Sequence, residues 1–276
     1  MRFADEHMDR LVDIVREANE TEVLPRFHGL SAGDISTKNG AIDVVTEADT
    51  RAEVFITDAL KKLYPNALVF GEEAYSADPR VADGLGEAEL AFVIDPVDGT
   101  MNFTTGLSMF GTIVAVTANG ETIAGLHYEP LQDNRLTVIR GAGAYESTKH
   151  GRSAKLKVAD PVPVSEMKGV INWAYFPEPY RSRVPALMPK LRFGTSTNCS
   201  VFDYWLTSTG RYHFMGNASG NLWDHLAGVL MQEEAGGYAA RFDGSAYTPK
   251  VKGAEVICAP DTDSWEEVRR EIFGIG

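Results

Sequence analysis

In VIDPVDGTMNF, residues 93–103, the carboxylates Asp95 and Asp98 close an apolar run that begins at Leu90. A buried strand has no use for terminal charge, and a solvated loop needs no apolar lead-in, so the pattern reads as a rigid strand delivering acids to one point. Other acids hold comparable places. Asp49 precedes a helix, Glu72 and Glu73 end the stretch ALVFGEE, and Asp224 follows Trp223 at the start of a late helix. Singly, each has a plainer explanation: Asp49 and Asp224 as N-caps, the glutamates as a solvated pair. Together, acids at the ends of apolar strands converge on one sheet edge, and converging like charges need a cation. The donors are oxygens only, with neither cysteine nor a paired-histidine spacing, which is hard-cation chemistry: Mg²⁺, Mn²⁺ or Ca²⁺. Pro96 and the missing glutamate at the twelfth position exclude an EF-hand loop. Magnesium among several acids, open on one side, suits phosphoryl chemistry, in which paired metals clamp the attacking and leaving oxygens. Gly99 and Thr100 come next, and a helix beginning there offers free N–H groups to phosphate oxygens.

The elements that position these acids follow from periodicity. Leu11, Val12, Ile14, Val15 and Ala18 recur at helical spacing, so an amphipathic helix spans residues 5–20. HGLSAGDISTKNG reads as a loop, and AIDVVTEADT as a short extended turn into a second helix, with Thr50 and Glu53 as its capping box and Pro65 as its stop. GTIVAVTA and ETIAGLHY flank Asn119-Gly120, a hairpin signal, and RLTVIR extends the sheet. GVINWAY then reads as a strand, SVFDYWLTSTG as a helix, DHLAGVLMQEEAGG as a helix closed by Gly236-Gly237, and YAARF as a strand. Helices, then a run of strands, then alternating elements argue for a layered α/β sandwich rather than a doubly wound sheet. The polar, proline-containing stretch from Ser147 divides the chain into halves, 1–147 and 148–276.

The 276 residues carry 39 acidic and 26 basic side chains, a formal charge of −13. That field repels nucleic acid and anionic membranes, and admits a phosphorylated substrate only where a bound cation reverses its sign locally. Cys199 and Cys258 form neither a disulfide framework nor a zinc pattern. The charged N-terminal stretch lacks a signal-peptide core, and no apolar run reaches ~18 residues. A cytoplasmic location is the expectation.

VIDPVDGTMNF resembles the D-P-x-D-G-T-x-N-F motif of the inositol monophosphatase family, lithium-sensitive, magnesium-dependent phosphatases. WDHLAG at 223–228 resembles the family's W-D-x-A-A-G, GEE at 71–73 its acidic pair, and DVVTEAD at 43–49 its D-x-V-T-x-x-D. The resemblance implies an α/β (α+β) fold, a layered αβαβα sandwich of the inositol monophosphatase and fructose-1,6-bisphosphatase type, and usually a homodimer. It implies two or three Mg²⁺ ions, with Mn²⁺ as a substitute. Glu72, Asp95 and the Val97 carbonyl would hold the first, and Asp95, Asp98 and Asp224 the second. A looser third would contact Glu72, with Asp49 behind it. Thr100, with Glu72 and Asp49, would orient and deprotonate the attacking water, with Glu73 supporting and Lys38 restraining a loop. Asp98, Gly99, Thr100 and Asp224 would border the substrate, as would Gly194-Thr195-Ser196, which resembles the family's G-T/S-A segment.

The alcohol-recognising end departs from that pattern. Inositol-specific members carry a glutamate shortly before W-D, whereas residues 204–223 here contain no acid, and neither nearby Asn217 nor Ser219 restores the charge. Met101 also replaces a common threonine. A small polyol or sugar phosphate, inositol-1-phosphate-like, is the expected substrate. Histidinol phosphate, fructose 1,6-bisphosphate and a 3′-phosphoadenosine nucleotide stay open with the same chemistry, and a metal-binding module without turnover is the remote alternative. His225 and His213 read as packing or surface residues, and Trp173, Tyr175, Phe176 and Tyr180 as core or subunit interface.

Overall fold

The computed structural model describes residues 3–29, 35–37, 44–151, 153–218, 220–251 and 255–276. Lys38 and Ser219, both singled out above, lie outside them. Helix α1 (Asp5–Ala18) buries Met8, Leu11, Val12, Val15 and Ala18 along one stripe, and a π-helical turn, Asn19–Val23, continues it. A short ribbon of β1 (Ile35–Thr37) and β2 (Val44–Thr46) leads into α2 (Glu47–Leu63). The cap of α2 differs from the expectation. Thr46 accepts the Ala48 N–H, and Asp49 accepts the Thr46 N–H, so the capping box sits four residues before Thr50 and Glu53. The chain leaves α2 after Leu63, ahead of Pro65, as expected.

A seven-stranded sheet follows: β3 (Leu68–Gly71), β4 (Ala91–Asp98), β5 (Gly111–Ala118), β6 (Glu121–Glu129), β7 (Asn134–Ile139), β8 (Gly143–Ser147) and β9 (Ser153–Lys155), paired in chain order. Two short helices interrupt it, α3 (Glu72–Ala77) and α4 (Thr100–Thr104). β3 runs parallel to β4 and the other pairs are antiparallel. Asn119 and Gly120 turn the β5–β6 hairpin with φ of 51° and 80°, the left-handed pair that matches strand twist.

The second sheet contains β10 (Lys168–Ile171), β11 (Phe193–Thr195), β12 (Phe214–Asn217), β13 (Tyr238–Ala240) and β14 (Val256–Ala259), in the order β11-β10-β12-β14-β13. Helices α5 (Tyr180–Leu187), α6 (Ser200–Ser208), α7 (Leu222–Glu234) and α8 (Thr262–Glu271) complete the chain. Three buried clusters define the layers. α1 and α2 pack on one face of the large sheet through Leu11, Val15, Ile56, Phe92, Val114 and Leu126. Its other face, with Val93, Ala115 and Val138, meets α6 and α7 and, beyond them, Met215 and Cys258 of the second sheet. α5 and α8 cover the far side of that sheet through Val184, Trp265 and Val268. The result is the five-layer αβαβα sandwich. No helix among the described residues is long and apolar enough to cross a membrane.

The seat of α7 on the large sheet fixes where Asp224 lies. A Cβ on Gly125 of β6 would stand 2.6 Å from Ala227 Cβ and 2.9 Å from its Cα, so the missing side chain sets the helix-to-sheet distance. Gly125→Val is expected to cost about 1–3 kcal/mol by overpacking. Urea denaturation measures this directly; an unchanged midpoint and slope would show that α7 does not rest on this contact.

Candidate active site

Asp95 and Asp98 are three residues apart, which in a regular strand places them on opposite faces. Here the β4–β5 pairing shifts by one residue, from Asp95 opposite Ile113 to Asp98 opposite Gly111. This bulge brings both carboxylates to one side. Pro96 sits within the bulge, past the last residue paired with β3, where its missing N–H breaks no ladder bond on that side. Its carbonyl accepts the Thr112 hydroxyl at 2.8 Å, and Asn19 Nδ2 donates to the same hydroxyl at 2.8 Å.

Asp224 comes from the first turn of α7, behind the N-cap Asn221, whose Nδ2 donates to Asp224 Oδ2 at 3.3 Å. Asp95, Asp98 and Asp224 each offer an oxygen within 4.8 Å of the others. Asp95 is 2% exposed and its Oδ1 is buried without a hydrogen-bond partner. Burial, then the charges of Glu72, Asp98 and Asp224, hold Asp95 well above the usual carboxylate range. Asp224 is raised for the same reasons, burial first, then Asp98 and Glu72. Burial also lifts Asp98, to about 6, against the opposing pull of the Cys199 thiol and the Val201 N–H. Three crowded acids with an orphaned oxygen fit a hard divalent cation, which supplies the missing partner and cancels the repulsion.

Glu72 opens α3 and is placed from behind. Glu53 of α2 accepts the Glu73 and Ala74 N–H groups at 2.7 and 2.8 Å, so it caps α3 rather than its own helix. A Cβ on Gly71 would meet Glu53 Oε2 at 2.3 Å, which explains the glycine ahead of the two glutamates. Asp49 is both cap and site residue. Its Oδ2 accepts from the Thr46 N–H and hydroxyl at 2.8 and 2.6 Å, while the Thr100 hydroxyl lies 3.1 Å from Oδ1 and 2.9 Å from the Val97 carbonyl. Gly99 takes φ of 81°, and a Cβ there would stand 2.8 Å from the Met109 carbonyl.

These residues border a cavity of about 540 Å³. Glu72, Asp95, Val97, Asp98, Gly99, Thr100 and Asp224 line it together, with Asp49 one step behind Thr100. Gly194, Thr195 and Ser196 do not. The wall is formed four residues later, by Asn198, Cys199 and Ser200. Asn198 has φ of 54°, a left-handed turn with no glycine to mark it in sequence. The remaining wall is amide and aromatic: Asn172, Asn217 and Asn221 with Tyr75, Tyr175 and Trp223. Tyr175 thus faces the cavity rather than the core. Of its expected companions, Phe176 is buried, Tyr180 packs edge-on against Phe242, and Trp173 is exposed. His225 is fully buried with Nδ1 3.2 Å from the Tyr204 hydroxyl, and His213 Nδ1 accepts the Lys168 N–H.

The sequence profile of the inositol monophosphatase family matches residues 6–272. Among curated proteins, the chain is 28% identical over 233 residues to a "Nus factor SuhB" of Haemophilus influenzae, covering 82% of this chain and 81% of that one. It is 26% identical over 238 residues to a "Fructose-1,6-bisphosphatase/inositol-1-monophosphatase" of Thermotoga maritima, covering 86% of each. Among solved structures, an inositol monophosphatase from Zymomonas mobilis superposes with a TM-score of 0.79 at 22% identity, over 98% of this chain and 99% of that one.

Proposed function

The chain belongs to the inositol monophosphatase family and is a phosphatase of that type, and we propose that it hydrolyses a small polyol or sugar phosphate with Mg²⁺ as its cofactor. The observation that supports this most is the trio Asp95, Asp98 and Asp224, within 4.8 Å of one another on one cavity wall. With Glu72 and the Val97 carbonyl, these residues would hold the ions, and Mn²⁺ would substitute. Bound there, Mg²⁺ supplies charge neutralisation for the phosphate and a lowered pKa for the attacking water.

The chain's own groups do the rest. The Thr100 hydroxyl has two acceptors behind it, the Val97 carbonyl at 2.9 Å and Asp49 Oδ1 at 3.1 Å, and giving its one proton to either leaves a Thr100 lone pair for the water. That lone pair would accept a hydrogen bond from the water while the Glu72 carboxylate takes the one proton it loses, which together aim the oxygen at phosphorus. Gly99, Thr100 and Met101 line the cavity, and their N–H groups would be the donors for phosphate oxygens there. Fructose 1,6-bisphosphate remains a competing alcohol because the Thermotoga maritima relative is named for both activities.

Phosphate release is expected from at least one of inositol 1-phosphate, fructose 1,6-bisphosphate, histidinol phosphate and 3′-phosphoadenosine 5′-phosphate. It should require Mg²⁺, stop with a chelator and weaken in lithium. Hydrolysis undiminished by chelator would remove the metal from the account. Tight Mg²⁺ binding with no turnover of any ester would leave a binding module.

A further inference from the structure

α6 carries one acid in an otherwise apolar run, Asp203 in SVFDYW, and it is 1% exposed. It does not line the cavity described above, and none of the roles above uses it. Burial raises it to about 8, against the stabilising bonds from Thr197 and Asn172. Its two oxygens are both engaged. Oδ1 accepts the Thr197 hydroxyl, and Oδ2 accepts Asn172 Nδ2 at 2.6 Å. Asn172 then presents its own Oδ1 to the Asn198 N–H at 3.2 Å and the Ser196 hydroxyl at 2.6 Å. Asn198 is the left-handed residue, a conformation that asparagine tolerates but that needs outside support. Directly after it, the Cys199 thiol and the Val201 N–H close on Asp98 Oδ2 at 2.9 and 2.5 Å. From the large-sheet side, Asn102 Nδ2 donates to the Thr197 carbonyl at 2.8 Å and completes the clasp.

We infer that Asp203 is a positioning residue for the metal centre: through Asn172 it holds the Asn198 turn whose thiol and amide orient Asp98. The inference rests on Asp98 being a metal ligand, as the proposed function has it. The chain of bonds has a fixed polarity. Ionised, above about pH 8, the carboxylate at 203 only accepts, so the Asn172 amide must point its NH₂ toward 203 and its oxygen toward Asn198. An asparagine at 203 that accepts from Thr197 turns its own NH₂ toward the Asn172 NH₂. Flipping Asn172 to relieve this only moves the donor–donor clash to the Asn198 N–H. An aspartate at 172 removes the conflict, because it accepts from both sides.

The experiment measures Mg²⁺ binding by calorimetry without substrate at about pH 9, where Asp203 is ionised, in the parent, Asp203→Asn, Asn172→Asp and the double swap. Loss of an outer partner of a metal ligand typically costs 10–100-fold in affinity. Asp203→Asn is expected to weaken Mg²⁺ binding by about tenfold or more. The double swap should recover most of the loss, whereas a purely structural defect would not respond to exchanging donor and acceptor. Should Asp203→Asn fail to fold, Asn172→Ala severs the same link and is expected to weaken Mg²⁺ comparably. Parent-like Mg²⁺ affinity in a folded Asp203→Asn or Asn172→Ala would overturn the inference, as would a double swap no better than Asp203→Asn. A parent protein that neither binds Mg²⁺ nor hydrolyses an ester would instead overturn the metal reading beneath it.

Discussion

Asp95→Asn is expected to lower turnover at least about 10³-fold while leaving the metal-free protein as stable as the parent or more so. The two effects share one cause. Asp95 is the most enclosed of the three acids, its Oδ1 has no partner, and Glu72, Asp98 and Asp224 all press on its charge. As a carboxylate it serves both proposed ion positions, and an amide of the same shape is a far weaker ligand with no charge. Losing about 4 kcal/mol of transition-state stabilisation corresponds to the 10³-fold factor. Without metal, the same substitution removes one like charge from a buried cluster and relieves repulsion. Phosphate-release assays in Mg²⁺ and thermal unfolding in chelator test the pair. Retained turnover would refute the bridging role, and a large loss of metal-free stability would mean that Asp95 is structural.

Mg²⁺ affinity is expected to rise with pH by up to about tenfold per unit near neutrality, because protons compete for the same oxygens. The metal-free fold should show the mirror image. Asp95, Asp98 and Asp224 all bind protons more tightly folded than unfolded, Asp98 to about 6, and buried Asp203 reaches about 8. A raised folded pKa contributes stability at low pH that is lost as pH rises through the folded value. Two buried imidazoles act in the opposite sense. His127 and His225 are held near 3 by burial, so their contribution fades as pH falls below the ordinary histidine value. Above about pH 7.5 the histidines are nearly all neutral in both states, and the carboxylates dominate. Metal-free protein should therefore melt at lower temperature at about pH 9 than at about pH 7.5, with the gain from Mg²⁺ larger at the higher pH. A gain from Mg²⁺ that shrinks as pH rises would contradict the assigned ligands.

Sequence carried the large sheet and the gathering of Asp95, Asp98 and Asp224 for identifiable reasons. Asn119-Gly120 specifies a turn that needs two left-handed residues, and both take that conformation. Asp95 and Asp98 could be paired from their place after an apolar strand, although the bulge that puts them on one side has no mark beyond Pro96. Capping was legible only in kind. Thr46 with Asp49 and Thr50 with Glu53 show the same threonine-acid spacing, and the fold, which needs Glu53 to hold α3, selects the first. Gly194-Thr195-Ser196 were expected near the substrate from the resemblance alone, and the cavity is instead lined by the segment that starts at left-handed Asn198, a position no glycine marks. Asn172 and Asp203 were missed because their role arises from a network linking β10, α6 and the loop between β11 and α6, which no local spacing displays. One signal was present, a lone acid among the apolar residues of α6.

The most direct test of the whole account is an anomalous difference map from crystals soaked in Mn²⁺. The account predicts density between the carboxylates of Asp95, Asp98 and Asp224, at oxygen distances of about 2.1 Å. Well-ordered carboxylates at those three positions with no ion among them at saturating Mn²⁺ would contradict it.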